Sequence, residues 1–208
     1  MTRLATILLL ALAVCAQSNF ARAAVPSPQN SSFPSCLVLC PFGDIQFSCV
    51  IRDLASNPVA AASVVLDFSP CPGAHICTTQ PPDHLLNLPA RTIRIFTDAN
   101  GQGTFQAHVG GTCFTSTVNV IANGVLMRQF ALASPDQDAD GVVTATGNDL
   151  VVFNGKLGGG TDVTADFDCS SSVDANDLTI LTQHHMHGCS GVVDVRRRSW
   201  GGIKQHYR

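Results

Sequence analysis

Residues 44–52, DIQFSCVIR, alternate. Ile45, Phe47, Cys49 and Ile51 fall on one side, and Asp44, Gln46, Ser48 and Arg52 on the other. A period of two marks a strand with one face turned to a core. The segments ASVVLDF, TIRIFT, TFQAHV, STVNVIA and GVLMRQFAL follow, rich in β-branched and aromatic residues. Turn chemistry separates them: SNP at 56, DANGQG at 98 and NG at 123. Asn-Gly supplies the positive φ angles of a tight hairpin, so VNVIANGVLMRQF is expected to fold back on itself. Short strands at this spacing between residues 31 and 135, with no convincing helix, predict a β-sandwich. About 100 residues suffice for one such core.

Beyond Pro135 the period changes. DLVVFNGKL presents Leu150, Phe153 and Leu157 at helical spacing, and DLTILTQHH presents Leu178, Ile180 and Leu181. Each run follows an acidic stretch, DQDADGVVTATGN and DFDCSSSVDAN. No helix is expected before either stretch, because Pro135 blocks one and GGGTDVTA the other.

Composition sharpens this. The chain has no glutamate, and nine of its fifteen aspartates lie between Asp136 and Asp177. Residues 134–189 set those nine against Lys156 alone, a net of −8, whereas residues 24–133 carry −1 and residues 190–208 carry +4. So acidic a middle argues against nucleic acid as a partner.

Calcium takes six to eight hard oxygens from a tightly curled backbone: side chains at loop positions 1, 3 and 5, a carbonyl at 7, often a water held by 9, and a carboxylate at 12. Residues 166–177 supply Asp166, Asp168, Ser170, the Ser172 carbonyl, Asp174 and Asp177 in that order. Val173 at position 8 is the apolar residue that would enter the core, and Ser171 stands at position 6, where glycine makes the sharp turn. The earlier stretch supplies Asp136, Asp138, Asp140, Gly141 and the Val142 carbonyl at positions 1, 3, 5, 6 and 7, with Val143 as the core residue. Its position 12 is Gly147, and Asp149 comes two residues late. Either the loop bulges to bring Asp149 in, or the site lacks its last ligand. Two calcium ions are therefore expected, the first on the less regular loop.

The N-terminus reads as a secretory signal: a basic start, an apolar run from Leu4 to Val14 and cleavage after Ala23. Leu12-Ala13-Val14-Cys15 also hints at a lipoprotein box, with Val14 bulky where a small residue is wanted. No later segment has the apolar length of a membrane span. Cleavage leaves eight cysteines, which in an exported chain read as disulfides. Cys71 and Cys77 bracket the loop CPGAHIC, and Cys169 and Cys189 bracket the second acidic unit, so these local bridges are expected. The pairing of Cys36, Cys40, Cys49 and Cys113 is left open. A four-cysteine zinc site would lack any CxxC pair.

Candidate catalysis is absent from the pattern. His75, His84 and His108 are scattered and read as loop or surface residues, and no nucleophile elbow or phosphate loop occurs. His184 and His187 in HHMH could share a helical face and bind a transition metal, but a polar helix end suited to the dipole is the preferred reading. The tail SGVVDVRRRSWGGIKQHYR carries Trp200, Ile203 and Tyr207 beside three arginines. It reads as a disordered basic end, as a segment recognised by sorting machinery, or as one folded back on the acidic unit.

Two resemblances complete the reading. VIRDLASNPVAAASVVLDF with FTDANGQGTFQ resembles bacterial immunoglobulin-like domains, which implies a fold and no chemistry. A duplicated calcium loop with only its outgoing helix, ending in aspartate, resembles type I dockerins over residues 134–189. That family docks onto cohesin domains in extracellular assemblies, often polysaccharide-degrading ones. The resemblance places recognition on Ala145 and Thr146 in the first repeat, Ala175 and Asn176 in the second, and Gln183 and His187 on the outgoing helix. The expected organisation is a signal peptide (1–23), an immunoglobulin-like β-sandwich (31–135), a small α-helical dockerin-like pair of half EF-hands (136–189) and a basic tail (190–208). The expected function is non-catalytic docking outside the cell or at its surface. A calcium-rigidified structural envelope protein is the alternative.

Overall fold

The computed structural model describes residues 24–159, 162–189 and 191–192. The expected signal peptide with Cys15, and the tail with Trp200, Ile203 and Tyr207, lie outside them. The alternation at 44–52 becomes strand β2 (Phe47–Val50), with Phe47 and Cys49 buried and Ile51 buried just beyond its end. It pairs antiparallel with β7 (Gln102–Phe105), Phe47 opposite Phe105.

The larger sheet runs β1 (Leu37–Val38), β10 (Val125–Ala133), β9 (Cys113–Ala122), β3 (Ser63–Asp67), β6 (Thr92–Phe96), β5 (Leu85–Asn87). All its pairings are antiparallel except that of β1 on β10. The expected hairpin joins β9 to β10, with Val125 opposite Ala122. Its turn residues, Asn123 (φ 47°) and Gly124 (φ 82°), are both left-handed, as a two-residue primed turn requires.

The run TFQAHV does not form one strand. Gln106 N–H donates to His84 Nε2 and His108 N–H to Gln80 Oε1. With two backbone donors given to side chains, the chain leaves β2 and resumes as β8 (Val109–Gly111) against β4 (Ala74–Ile76). His84, expected as a loop or surface residue, lies in a loop but is buried. Its Nδ1 meets Asp83 Oδ1 at 2.8 Å.

Val64, Leu66, Ile93, Ile95, Val118 and Val120 of the large sheet share one core with Phe47, Phe105 and Val109 of the two ribbons. Each such buried side chain contributes roughly 1.5–3 kcal/mol. The chain is mainly β, as its alternation required.

Helices α1 (Asn148–Lys156) and α2 (Ala175–Gln183) follow the acidic stretches. They bury Phe153 and Leu181 in a second core with Val143, Phe167 and Val173, and this core includes Val38, Cys40 and Ala133 of the β half. Leu157, expected to face inward, is exposed. The two acidic units are cross-strapped. Val143 N–H donates to the carbonyl of His187 and accepts at its own carbonyl from Met186 N–H, while Gly158 N–H donates to the carbonyl of Val173. Each loop thus pairs with the segment that follows the other unit's helix. His187–Gly188 (β11) also pairs with Gly191–Val192 (β12).

Neither expected local disulfide forms. The bridges are Cys71–Cys113, Cys77–Cys189 and Cys36–Cys169, with Cα separations of 5.8, 5.2 and 5.8 Å. Cys71 and Cys77 flank β4, and three extended residues advance the chain about 10 Å, beyond the reach of one disulfide. Cys189 N–H donates to the carbonyl of Gly141, which fixes Cys189 beside the first acidic loop, whereas Cys169 belongs to the second. Two of the three bridges therefore tie the acidic half to the β half, and none closes within it. Cys40 and Cys49 are free and buried.

Candidate metal centres

The two acidic loops share most of their hydrogen bonds position for position. In the second, Asp177 Oδ1 accepts from Phe167 N–H (2.6 Å) and Asp168 N–H (3.3 Å), and its Oδ2 accepts from Asp174 N–H (2.9 Å). In the first, Asp149 Oδ1 accepts from Gln137 N–H (2.6 Å) and Asp138 N–H (3.1 Å), and its Oδ2 accepts from Thr144 N–H (2.7 Å). These are the same loop positions, 2, 3 and 9. The bulge between Thr144 and Asp149 takes up the two extra residues and delivers Asp149 to the place Asp177 holds. Thr144 Oγ1 adds a fourth donor to Asp149 at 2.8 Å.

The remaining positions correspond too. Asp136 accepts from Gly141 N–H, as Asp166 does from Ser171 N–H. Asp138 accepts from Asp140 N–H, as Asp168 does from Ser170 N–H. Asp140 accepts from Val142 N–H, and Ser170 Oγ from Ser172 N–H. Position 4 is left-handed in both loops (Ala139, φ 62°; Cys169, φ 61°), and so is position 6 (Gly141, φ 86°; Ser171, φ 72°). Ser171 bears the steric cost that Gly141 avoids.

This scaffold points carboxylates at one another. Ligand oxygens of Asp136, Asp138 and Asp149 lie within 4.8 Å of each other, and so do those of Asp166, Asp168 and Asp177. At that separation each ionised pair repels by about 3–4 kcal/mol near a protein surface. Among the described residues, no lysine or arginine pairs with them. Lys156, the only one between residues 134 and 189, bonds Gln137 Oε1 and Thr164 Oγ1 at 2.7 Å and pairs with Asp162 at 3.4 Å. Burial, with the charge of Asp149 second, pushes Asp136 up to about 7. Burial also raises Asp149 and Asp166, whereas the Ser170 hydroxyl holds exposed Asp168 below its ordinary value. Asp136 is fully buried, and its Oδ1 has no hydrogen-bond partner. A buried carboxylate oxygen without a donor, facing two further carboxylates, fits a hard cation.

Other expected ligands fall as follows. Ser170 Oγ lies 3.2 Å from the Ser172 carbonyl oxygen, positions 5 and 7 of the second loop. Asp174 is instead the N-cap of α2, accepting from Asn176 N–H within a capping box completed by Asp177. Sequence reasoning missed how the β half supports the first loop. Gly111 N–H donates to the carbonyl of Asp136, His75 Nδ1 meets the carbonyl of Ala139 at 2.9 Å, and a Cβ on Gly110 would overlap the Asp136 carboxylate. Only the glycine at 110 signalled so close an approach, and the loop it serves lies far along the chain.

Of the expected recognition residues, Thr146, Ala175, Asn176 and Gln183 are exposed. Ala145 is buried, and its N–H donates to His185 Nδ1. His187 is half-buried and turned onto Asp44. Ala145 is therefore withdrawn from any docking face. Comparison with family models, with curated proteins and with solved structures returned no match.

Proposed function

We propose that the acidic half binds two calcium ions. Asp136, Asp138, Asp140, the Val142 carbonyl and Asp149 would hold one, and Asp166, Asp168, Ser170, the Ser172 carbonyl and Asp177 the other. The observation that carries this reading is the recurrence of one hydrogen-bond scaffold in both loops, each converging three carboxylates with which no basic side chain among the described residues pairs. Calcium suits these all-oxygen, flexible loops better than a softer metal would. The cation would cancel the carboxylate repulsion, and the small second core would then hold its shape.

The protein is proposed to be secreted and non-catalytic, with an immunoglobulin-like sandwich as its β half. A core shared by the large sheet and the two ribbons is compatible with the sandwich. Three disulfides suit an oxidising compartment, and no helix among the described residues is long and apolar enough to cross a membrane. Thr146, Ala175, Asn176 and Gln183 would contribute to a calcium-dependent docking face for a cohesin-like partner domain.

A second reading, calcium as a rigidifier of a structural surface protein, is favoured by two observations. Two disulfides fix the acidic half to the β half, and Ala145 and His187 are engaged internally. Thermal denaturation of the full chain in millimolar calcium and in EGTA tests the shared premise. Calcium should raise the midpoint, and identical midpoints would overturn calcium binding. Pull-down on immobilised cohesin domains then divides the readings: capture lost in EGTA supports docking, and no capture alongside a calcium-raised midpoint supports the structural role.

A further inference from the structure

A different cluster lies where the two halves meet. Cys40 and Asp44 belong to a tight turn in which Gly43 N–H donates to the Cys40 carbonyl, with Gly43 left-handed at φ 78°. His184 and His187 leave the end of α2 through a second turn, where His187 N–H donates to the His184 carbonyl and Met186 is left-handed at φ 68°. The turns face each other. Asp44 Oδ2 lies 2.9 Å from Nδ1 of His184 and 2.9 Å from Nδ1 of His187. The two Nδ1 atoms are 3.2 Å apart, and Cys40 Sγ is 3.9 Å from that of His184. One ligand atom from each of the four residues lies within 4.8 Å of the other three.

With Asp44 ionised, no arrangement of protons satisfies all of these contacts. If both Nδ1 atoms carry hydrogens, each can reach Asp44, but two N–H groups then crowd across 3.2 Å. If only one does, the other turns a lone pair toward a carboxylate lone pair at 2.9 Å. A cation at the centre accepts lone pairs from all four ligands. Tetrahedral zinc, with bonds of about 2.0–2.2 Å to nitrogen and oxygen and about 2.3 Å to sulfur, sets N···N and N···O edges near 3.3 Å and N···S edges near 3.6 Å. The observed N···O and N···N edges fall a little short of those values, and the N···S edge lies a little beyond.

We propose that Cys40, Asp44, His184 and His187 form a closed four-ligand site for a tetrahedral transition metal, clamping the β half to the end of α2. One thiolate, one carboxylate and two imidazoles make zinc the metal that this donor set suits. Its ligands are distinct from those of the two calcium loops, so it stands whether or not those loops bind calcium. The ligand side chains are mostly shielded, with exposures of 28 % for Asp44, 15 % for His184 and 19 % for His187, and Cys40 is fully buried. The Phe42 ring lies 4.7 Å from that of His187. A site with four protein ligands and little solvent access is structural in kind.

Cobalt(II) reports both geometry and sulfur ligation, and the oxygen-lined loops cannot imitate thiolate charge transfer. The full chain, stripped of metal with its disulfides intact and then saturated with calcium, is titrated with cobalt. One equivalent should bring intense tetrahedral d–d bands and a thiolate-to-cobalt band, and one equivalent of zinc should bleach both. Cys40→Ser should abolish the thiolate band, Cys49→Ser should leave it unchanged, and His187→Ala should weaken cobalt binding at least tenfold. Absence of the bands in the wild-type chain overturns the proposal without recourse to any variant, and so does a thiolate band that survives Cys40→Ser.

Discussion

The two acidic loops reach one geometry by different routes. The second is regular in length, with its last carboxylate, Asp177, at position 12, but it carries Ser171 where the backbone is left-handed. The first has Gly141 at that corner, and two extra residues before Asp149. Hydrogen bonding decides the outcome in both: N–H groups at positions 2, 3 and 9 converge on one carboxylate and draw it into place. A loop of this kind tolerates an insertion where its chain bulges outward, and tolerates a strained corner if the bonds around it are made. Their surroundings differ more than their geometry. The first loop leans on the β half through Gly110, Gly111 and His75, whereas the second is tethered by Cys169 to Cys36.

The largest effect should come from deleting the convergent carboxylates. Asp149→Ala strands three backbone donors and a hydroxyl, and Asp177→Ala strands three backbone donors. With an unmet buried donor costing about 1–3 kcal/mol, each variant should lose about 4 kcal/mol in urea denaturation and one calcium equivalent. If Asp149→Ala kept both equivalents, the correspondence of Asp149 with Asp177 would be broken.

Acid dependence separates the loops next. In EGTA, the raised value of Asp136 means that the folded chain holds a proton the unfolded chain has released. Stability should therefore fall as pH rises from 3.8 to about 7. The loss is on the order of 4 kcal/mol, with Asp149 and Asp166 acting in the same direction. Saturating calcium should flatten this decline, and Asp136→Asn should remove most of it. Urea midpoints across the range, with and without calcium, check both.

Gly110→Ala should discriminate more finely. Its methyl group would press on the Asp136 carboxylate, so first-site affinity should drop about tenfold while the second site keeps its own. Smallest is Ser171→Gly, which relieves a left-handed serine and should stabilise the chain by about 1 kcal/mol in the same denaturation assay.

Much of this was legible along the chain because it is local. Alternation marked β2, β3, β6, β9 and β10; Asn123-Gly124 marked the hairpin; aspartate spacing marked both loops and the helices after them. What escaped was set by distant partners. β4 and β5 have three residues each, too short for a period to emerge, and β1 is held by parallel pairing to β10. The break in TFQAHV is made by Gln80 and His84, both earlier in the chain. Cysteine proximity in sequence misled because Cys77 and Cys36 meet partners 112 and 133 residues away. The Cys40–His184 neighbourhood spans 144 residues, so HHMH alone could not disclose it.

Calorimetric titration of the full-length, disulfide-intact chain with calcium addresses the central claim most directly. Two equivalents should bind to the wild type, and one each to Asp149→Ala and Asp177→Ala. A wild-type chain that takes up no calcium at millimolar concentration would contradict it.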